Sequence, residues 1–120
     1  EEYFRNLETE LLKELQTGKN CIISCGGGVA LRSENVVEMK KNGRVVLLTA
    51  SPETIYERVK DSNDRPLLKD NKSIEFIADL MEKRKEKYEN AADVVIRTDG
   101  KTILQICEEL ITKLMELDER

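Results

Sequence analysis

The chain of 120 residues contains no histidine and no tryptophan, and aromatic residues make up only 4% of it. Without histidine there is no serine–histidine triad and no HExxH zinc site. So few rings leave no platform on which single-stranded nucleic acid could stack its bases. Twenty basic residues stand against 24 acidic ones, a net charge of −4, and no basic block is set apart from its acidic neighbours. Neither nucleic acid nor a membrane surface is therefore expected as a partner. No apolar run approaches membrane-spanning length, and the first residues do not resemble a signal peptide. Three cysteines, Cys21, Cys25 and Cys107, form an odd set with no CxxC spacing. Cys21 and Cys25 would share one face of a strand, but four residues at about 3.3 Å each hold them too far apart to bridge. They read as small buried apolar residues of a protein in a reducing compartment, which points to the cytoplasm. No cysteine or carboxylate cluster has metal-ligand spacing, so no metal site is expected in the chain.

What is present is an alternation of helical and strand patterns. Hydrophobic residues make up 39% and charged residues 37%, the balance of one soluble globular domain over residues 1–120. Phe4, Leu7, Leu11, Leu12 and Leu15 give residues 1–17 a helical stripe that stops at Gly18. "CIISC" (21–25) is a continuous apolar run, the pattern of a strand covered on both faces. Ser33 is placed to cap a helix through about Lys41, and "RVVLLTA" (44–50) reads as a second buried strand. Ser51-Pro52 supplies an N-cap with proline at the first helical position, with Ile55 and Val59 inward. Residues 60–73, "KDSNDRPLLKDNKS", are polar and unpatterned, a loop too long to be a simple connector. A helix from Ser73 to about Asn90 carries Ile74, Ile77, Leu80, Met81, Arg84 and Tyr88 on related faces. "DVVIRT" (93–98) is a third buried strand, and Thr102 with Gln105 forms a capping box. That box opens a last helix with Ile103, Ile106, Cys107, Leu110 and Leu114 inward. Strands separated by helices predict an α/β fold with a parallel sheet and right-handed crossovers.

Half of the six glycines stand together as Gly26-Gly27-Gly28, directly after the first apolar run. The triplet is either a tight strand-to-helix turn or a stretch of bare backbone whose N–H groups meet an oxygen-rich ligand. It matches neither GxGxxG nor the Walker A pattern. In an α/β sheet, ligands bind beyond the carboxyl ends of the strands, where this triplet falls. Two arginines also stand out. Arg65 precedes Pro66-Leu67-Leu68 in the long loop, and Arg84 lies on the apolar side of its helix. An unpaired guanidinium is costly to bury and matches a carboxylate or phosphate. With histidine and metal chemistry excluded, the remaining inventory suits phosphoryl transfer, which needs positioning and positive charge. The loop at 60–73 has the composition of a lid over such a site.

Five runs, "FRNLE", "IISCGGGVALR", "RVVLLTASPETIYERVK", "RPLLK" and "EKRKEKYENAADVVIRTDG", follow one another in the order and at the spacing of the shikimate kinase family. The chain resembles that family from Tyr3 to its final helix. Cys25 is a departure, standing where the family more often has threonine or serine. The resemblance implies a three-layer α/β/α P-loop-kinase fold and ATP-dependent phosphorylation of the shikimate 3-hydroxyl in chorismate biosynthesis. It implies that Arg5 and Arg84 bind the shikimate carboxylate, and that Gly26, Gly27 and Gly28 pack against its ring and hydroxyls. Arg65 would reach the ATP phosphates and stabilise charge during transfer, while Arg58 and Lys101 match positions near the adenine or the lid base. ATP and Mg²⁺ are the implied cofactors.

The resemblance also has a gap. The family opens with a strand, a GxxGxGK[ST] phosphate loop, its helix, and a second strand whose Asp engages the substrate hydroxyl. No such loop occurs in this sequence. The chain thus reads as an amino-terminally truncated, partial domain without the Mg²⁺ ligands. The family's first strand lies between those matching residues 20–25 and 44–49, so exposed parallel edges are expected. Such edges invite self-association or pairing with the missing segment. Losing several preorganised phosphate donors, each worth about 3–4 kcal/mol, predicts no turnover from this chain alone. The alternative is a non-catalytic shikimate-binding or regulatory module derived from the kinase. Another kinase of the superfamily is opposed by the triple glycine together with "FR" and "RPLL", and nothing specific supports a scaffold.

Overall fold

A computed structural model describes residues 1–18, 20–60 and 73–119. The elements run α1 (Glu2–Leu15), a short 3₁₀ turn (Val29–Leu31), α2 (Ser33–Lys41), β1 (Val46–Thr49), α3 (Pro52–Val59), α4 (Ile74–Ala91), β2 (Val94–Arg97) and α5 (Ile103–Asp118). β1 and β2 pair in parallel, Val46 with Val94 through Thr49 with Arg97. A parallel pair needs a long crossover, which α3 and α4 supply. The result is the expected α/β class. Among the described residues, no helix is long and apolar enough to cross a membrane.

Local signals set most of the helix ends. Ser51 Oγ accepts from Thr54 N at the start of α3, and Ser73 Oγ accepts from Phe76 N at the start of α4. Thr102 and Gln105 complete the reciprocal capping box of α5. Ser33 differs from expectation: it begins α2 itself, and Arg32 takes the cap position without a side-chain bond. The best-formed packing lies between α3 and α4, where Val59 and Ile77 are buried against Ile55, Tyr56, Phe76 and Met81.

The sheet departs more widely. Residues 21–25 do not form the expected strand; they are non-regular and exposed throughout, with Ile22 99% accessible. A strand is held by its ladder bonds, and among the described residues only β1 and β2 are laddered. The paired strands are not covered on both faces either, since Leu48 and Val95 remain exposed. All three cysteines are exposed, contrary to the expected burial. Cys21 and Cys25 follow the unpaired run, while Cys107 shares the uncovered side of α5 with Ile103 and Ile111. In α5, Ile106, Leu110 and Leu114 are only half-buried, and no residue of the helix is fully enclosed. Phe4, Leu7 and Leu11 of α1 are likewise exposed; of that stripe only Leu12 is buried. The 60–73 loop lies outside the described residues from 61 to 72, and Arg65 with it.

Candidate functional site

Three elements converge on the glycine turn. From α1, the Arg5 guanidinium backs onto Gly28, where a methyl group would collide with it, 2.6 Å from Nη2 and 2.7 Å from Cζ. From α4, a methyl on Gly27 would lie 2.7 Å from Tyr88 Oη and 3.0 Å from Arg84 Nη1. Glycine at both positions lets these side-chain heads lie against bare backbone, and a Cβ there would push them aside. A methyl on Gly26 would meet nothing within 4 Å. Two guanidinium groups from helices far apart in sequence thus flank two consecutive glycines.

The two arginines are held differently. Arg5 Nε donates to Glu1 Oε2 at 2.8 Å and Nη1 to Glu8 Oε1 at 2.6 Å, and the group stacks 5.3 Å from the centre of the Phe4 ring. The Glu8 bond first, then the Glu1 bond, pushes the Arg5 pKa further up. Arg84 Nη1 donates to Tyr88 Oη at 3.1 Å, and Tyr88 Oη donates to Gly27 O at 2.9 Å. Among the described residues Arg84 has no carboxylate partner, whereas Arg5, Arg32, Arg44 and Arg97 all have one. A half-buried guanidinium without a counter-charge, in a chain of net charge −4, is an anion-seeking group.

Polar ties set this geometry from behind. Asn35 of α2 is fully buried; its Nδ2 donates to Val29 O at 3.0 Å, and its Oδ1 lies 2.6 Å from Thr9 Oγ1 of α1. Arg32 reaches Asn6 and Thr9 of α1, and Lys87 of α4 donates to Leu31 O at 3.2 Å. The turn is thereby fastened to α1, α2 and α4 together. Cys25, just before it, is exposed as a residue, yet crowding at the sulfur and then the Glu8 charge push its thiol pKa up.

Arg58 and Lys101 belong to a second place, the carboxyl ends of the two strands. Arg58 Nη1 donates to Thr98 Oγ1 at 3.0 Å and Nη2 to Thr98 O at 3.2 Å. Lys101 Nζ is paired with Glu109 at 2.5 Å, which draws the Glu109 carboxyl pKa down. Beside them Asp99 accepts from Ser51 N at 2.9 Å and from Arg97 Nη2 at 3.0 Å. Its pKa falls well below the ordinary carboxylate range, through a Thr54 side-chain bond first and the Ser51 amide second. Among the described residues, no group of three histidine, cysteine, aspartate or glutamate side chains is placed to hold a metal ion.

Sequence reasoning placed Arg5, Arg84 and the glycines but gave no part to Glu8, Asn35 or the Tyr88 hydroxyl. Glu8 and Tyr88 were within reach of a helical-spacing argument, lying three residues after Arg5 and four after Arg84. Asn35 carried no such signal, because its partners on α1 and the 3₁₀ turn come from outside its helix.

Comparison with known proteins gives the family of the chain. The shikimate kinase family model matches residues 1–115. The shikimate kinase of Persephonella marina is 42% identical over 114 residues, covering 95% of this chain and 68% of the relative. That of Caldanaerobacter subterraneus subsp. tengcongensis is 39% identical over 120 residues, covering 100% of this chain and 70% of the relative. The structure of shikimate kinase from Acinetobacter baumannii in complex with shikimate superposes with a TM-score of 0.84 at 26% identity, over 94% of this chain and 63% of that one. The Bacteroides thetaiotaomicron enzyme gives 0.75 at 30% identity, over 98% and 68%. The chain therefore spans about two thirds of the length of these relatives. With the family model matched over nearly its whole length, the chain belongs to the shikimate kinase family.

Proposed function

We propose that Arg5, Arg84 and the Gly27–Gly28 turn together seat the carboxylate and ring of shikimate. On this reading the chain is the substrate-binding part, a partial domain, of an ATP-dependent kinase that phosphorylates the shikimate 3-hydroxyl. The observation that carries it is the half-buried Arg84, held beside bare backbone with no carboxylate partner among the described residues. Arg5 contributes its Nη2 protons, which have no partner among the described residues, while Glu8 keeps the fork in place. Gly26 borders the same turn, where its open surroundings leave room for a ring.

The residues present fit ATP only in part. Arg58, laid against Thr98 at the strand ends, offers a flat guanidinium to a purine. Lys101 is committed to Glu109, and the described residues provide no donor set for Mg²⁺. ATP would supply the phosphoryl group, with Mg²⁺ neutralising its charge; this chain's own residues bind and orient the acceptor. Consistent with that division, we expect no phosphorylation by the chain alone.

Calorimetric titration with shikimate tests the site. Binding is expected, and Arg84→Ala should weaken it by about 1.5–3 kcal/mol, the worth of a charged hydrogen bond. Equal affinity in parent and mutant removes Arg84 from the site. Adding a polypeptide that carries a strand and a phosphate loop should restore turnover; binding without any restored turnover would identify a non-catalytic shikimate-binding module.

A further inference from the structure

We propose that Tyr88 is a positioning residue that sets the direction of the Gly27–Gly28 peptide, and so decides which way the Gly28 N–H faces. The inference rests on the shikimate reading above for the identity of the ligand, but not for the peptide geometry. A guanidinium is a donor only, so the Tyr88 oxygen must accept from Arg84. The single phenolic proton is then left for Gly27 O, 2.9 Å away. That bond turns the Gly27 carbonyl towards α4. In a trans peptide the carbonyl and the following N–H point in opposite directions, and the chain has no cis bond among its described residues. The Gly28 N–H therefore points away from α4, and no acceptor among the described residues takes it.

Two glycines alone would not fix this plane, because the peptide between them can flip at little steric cost. The Tyr88 hydroxyl supplies the missing constraint and ties it to Arg84. One phenol thus coordinates the group that meets a carboxylate with the backbone donor that meets a hydroxyl. A ligand carrying both at the right separation gains from the coupling, whereas one with the carboxylate alone gains less. This makes Tyr88 a determinant of selectivity for a hydroxylated ring acid.

The test is Tyr88→Phe, which keeps the ring and removes one oxygen. In ¹⁵N-labelled, ligand-free protein the Gly28 amide resonance should shift or double, while amides early in α4 stay where they are. Unmoved glycine amides overturn the proposal, whatever any ligand does. Titration with shikimate should then show about a five- to tenfold weaker affinity, and titration with cyclohexenecarboxylate, which has no hydroxyls, a smaller loss. An equal loss for both acids overturns the role of the peptide and leaves Tyr88 acting through Arg84 alone. If the parent protein binds no shikimate, the proposed function fails while the amide shift still decides what Tyr88 does.

Discussion

Two short apolar runs of similar composition meet different fates in this molecule. Val46–Thr49 forms a strand beside Val94–Arg97, while residues 21–25 stay irregular and exposed. The contrast reaches its limit in two isoleucines: Ile96 is wholly enclosed and Ile22 is 99% accessible. Side-chain character permits a strand, but the ladder of a neighbour makes one, because each backbone N–H and C=O must find a partner when water is excluded. β1 and β2 have each other, with Asp93 N and Val94 N both donating to Val45 O at the entry and Thr98 N to Thr49 O at the exit. The run at 21–25 has no such neighbour among the described residues.

The comparison is broken most severely by truncating the two isoleucines. Ile96→Ala should cost about 2–5 kcal/mol in urea unfolding, since it empties an enclosed site. Ile22→Ala should change stability by no more than about 0.5 kcal/mol. A comparable loss at Ile22 would mean that residues 21–25 are packed after all. The end of the unpaired run is nevertheless well fixed, because side chains clasp the glycine turn. Gly28→Ala should therefore weaken shikimate binding by about 1–3 kcal/mol by displacing the Arg5 head, with little effect on stability because a flexible side-chain end gives way. Gly26→Ala, with open space around it, should leave the unfolding curve unchanged.

What was legible in the sequence follows the same division. Most signals that act within four residues were read correctly: the Ser51 and Thr102 caps, the proline at the start of α3, and the capping box of α5. Ser33, read as a cap, lies one residue inside α2, and the cap role of Ser73 was not read. Features that need a distant partner were read less well. The pattern of "CIISC" carries no information about whether a neighbouring strand is present, and the inward stripe of α5 assumed a cover that the described residues do not provide. At the candidate site, motif order pointed to Arg5, Arg84 and the glycines, whereas Asn35 works through contacts 26 and six residues away. A direct check is Thr102→Ala, which removes a local cap from a helix with no fully buried residue. It should cost about 1 kcal/mol, read as a lower thermal midpoint and loss of helical circular dichroism in proportion.

The smallest expected effect sharpens the comparison at the strand exits. Ser51 follows β1 and Asp99 follows β2, and the Asp99 carboxylate joins them by accepting from Ser51 N and Arg97 Nη2. Because these bonds and that from Thr54 favour the charged form, the folded-state pKa lies below the unfolded value. Its contribution to stability is then fully present above about pH 4, near the ordinary aspartate pKa, and drains away as the pH falls further towards the folded value. Asp99→Asn retains an acceptor for Ser51 N but no longer titrates. Thermal midpoints recorded from pH 7 down to pH 3 should show parent and variant separated at neutral pH and converging below pH 4. The gap should be small and should narrow in salt, since Asp99 stays partly open to solvent. Parallel curves across the whole range would mean that the clasp between the paired strands is held by the Ser51 amide bond alone, without help from the charge.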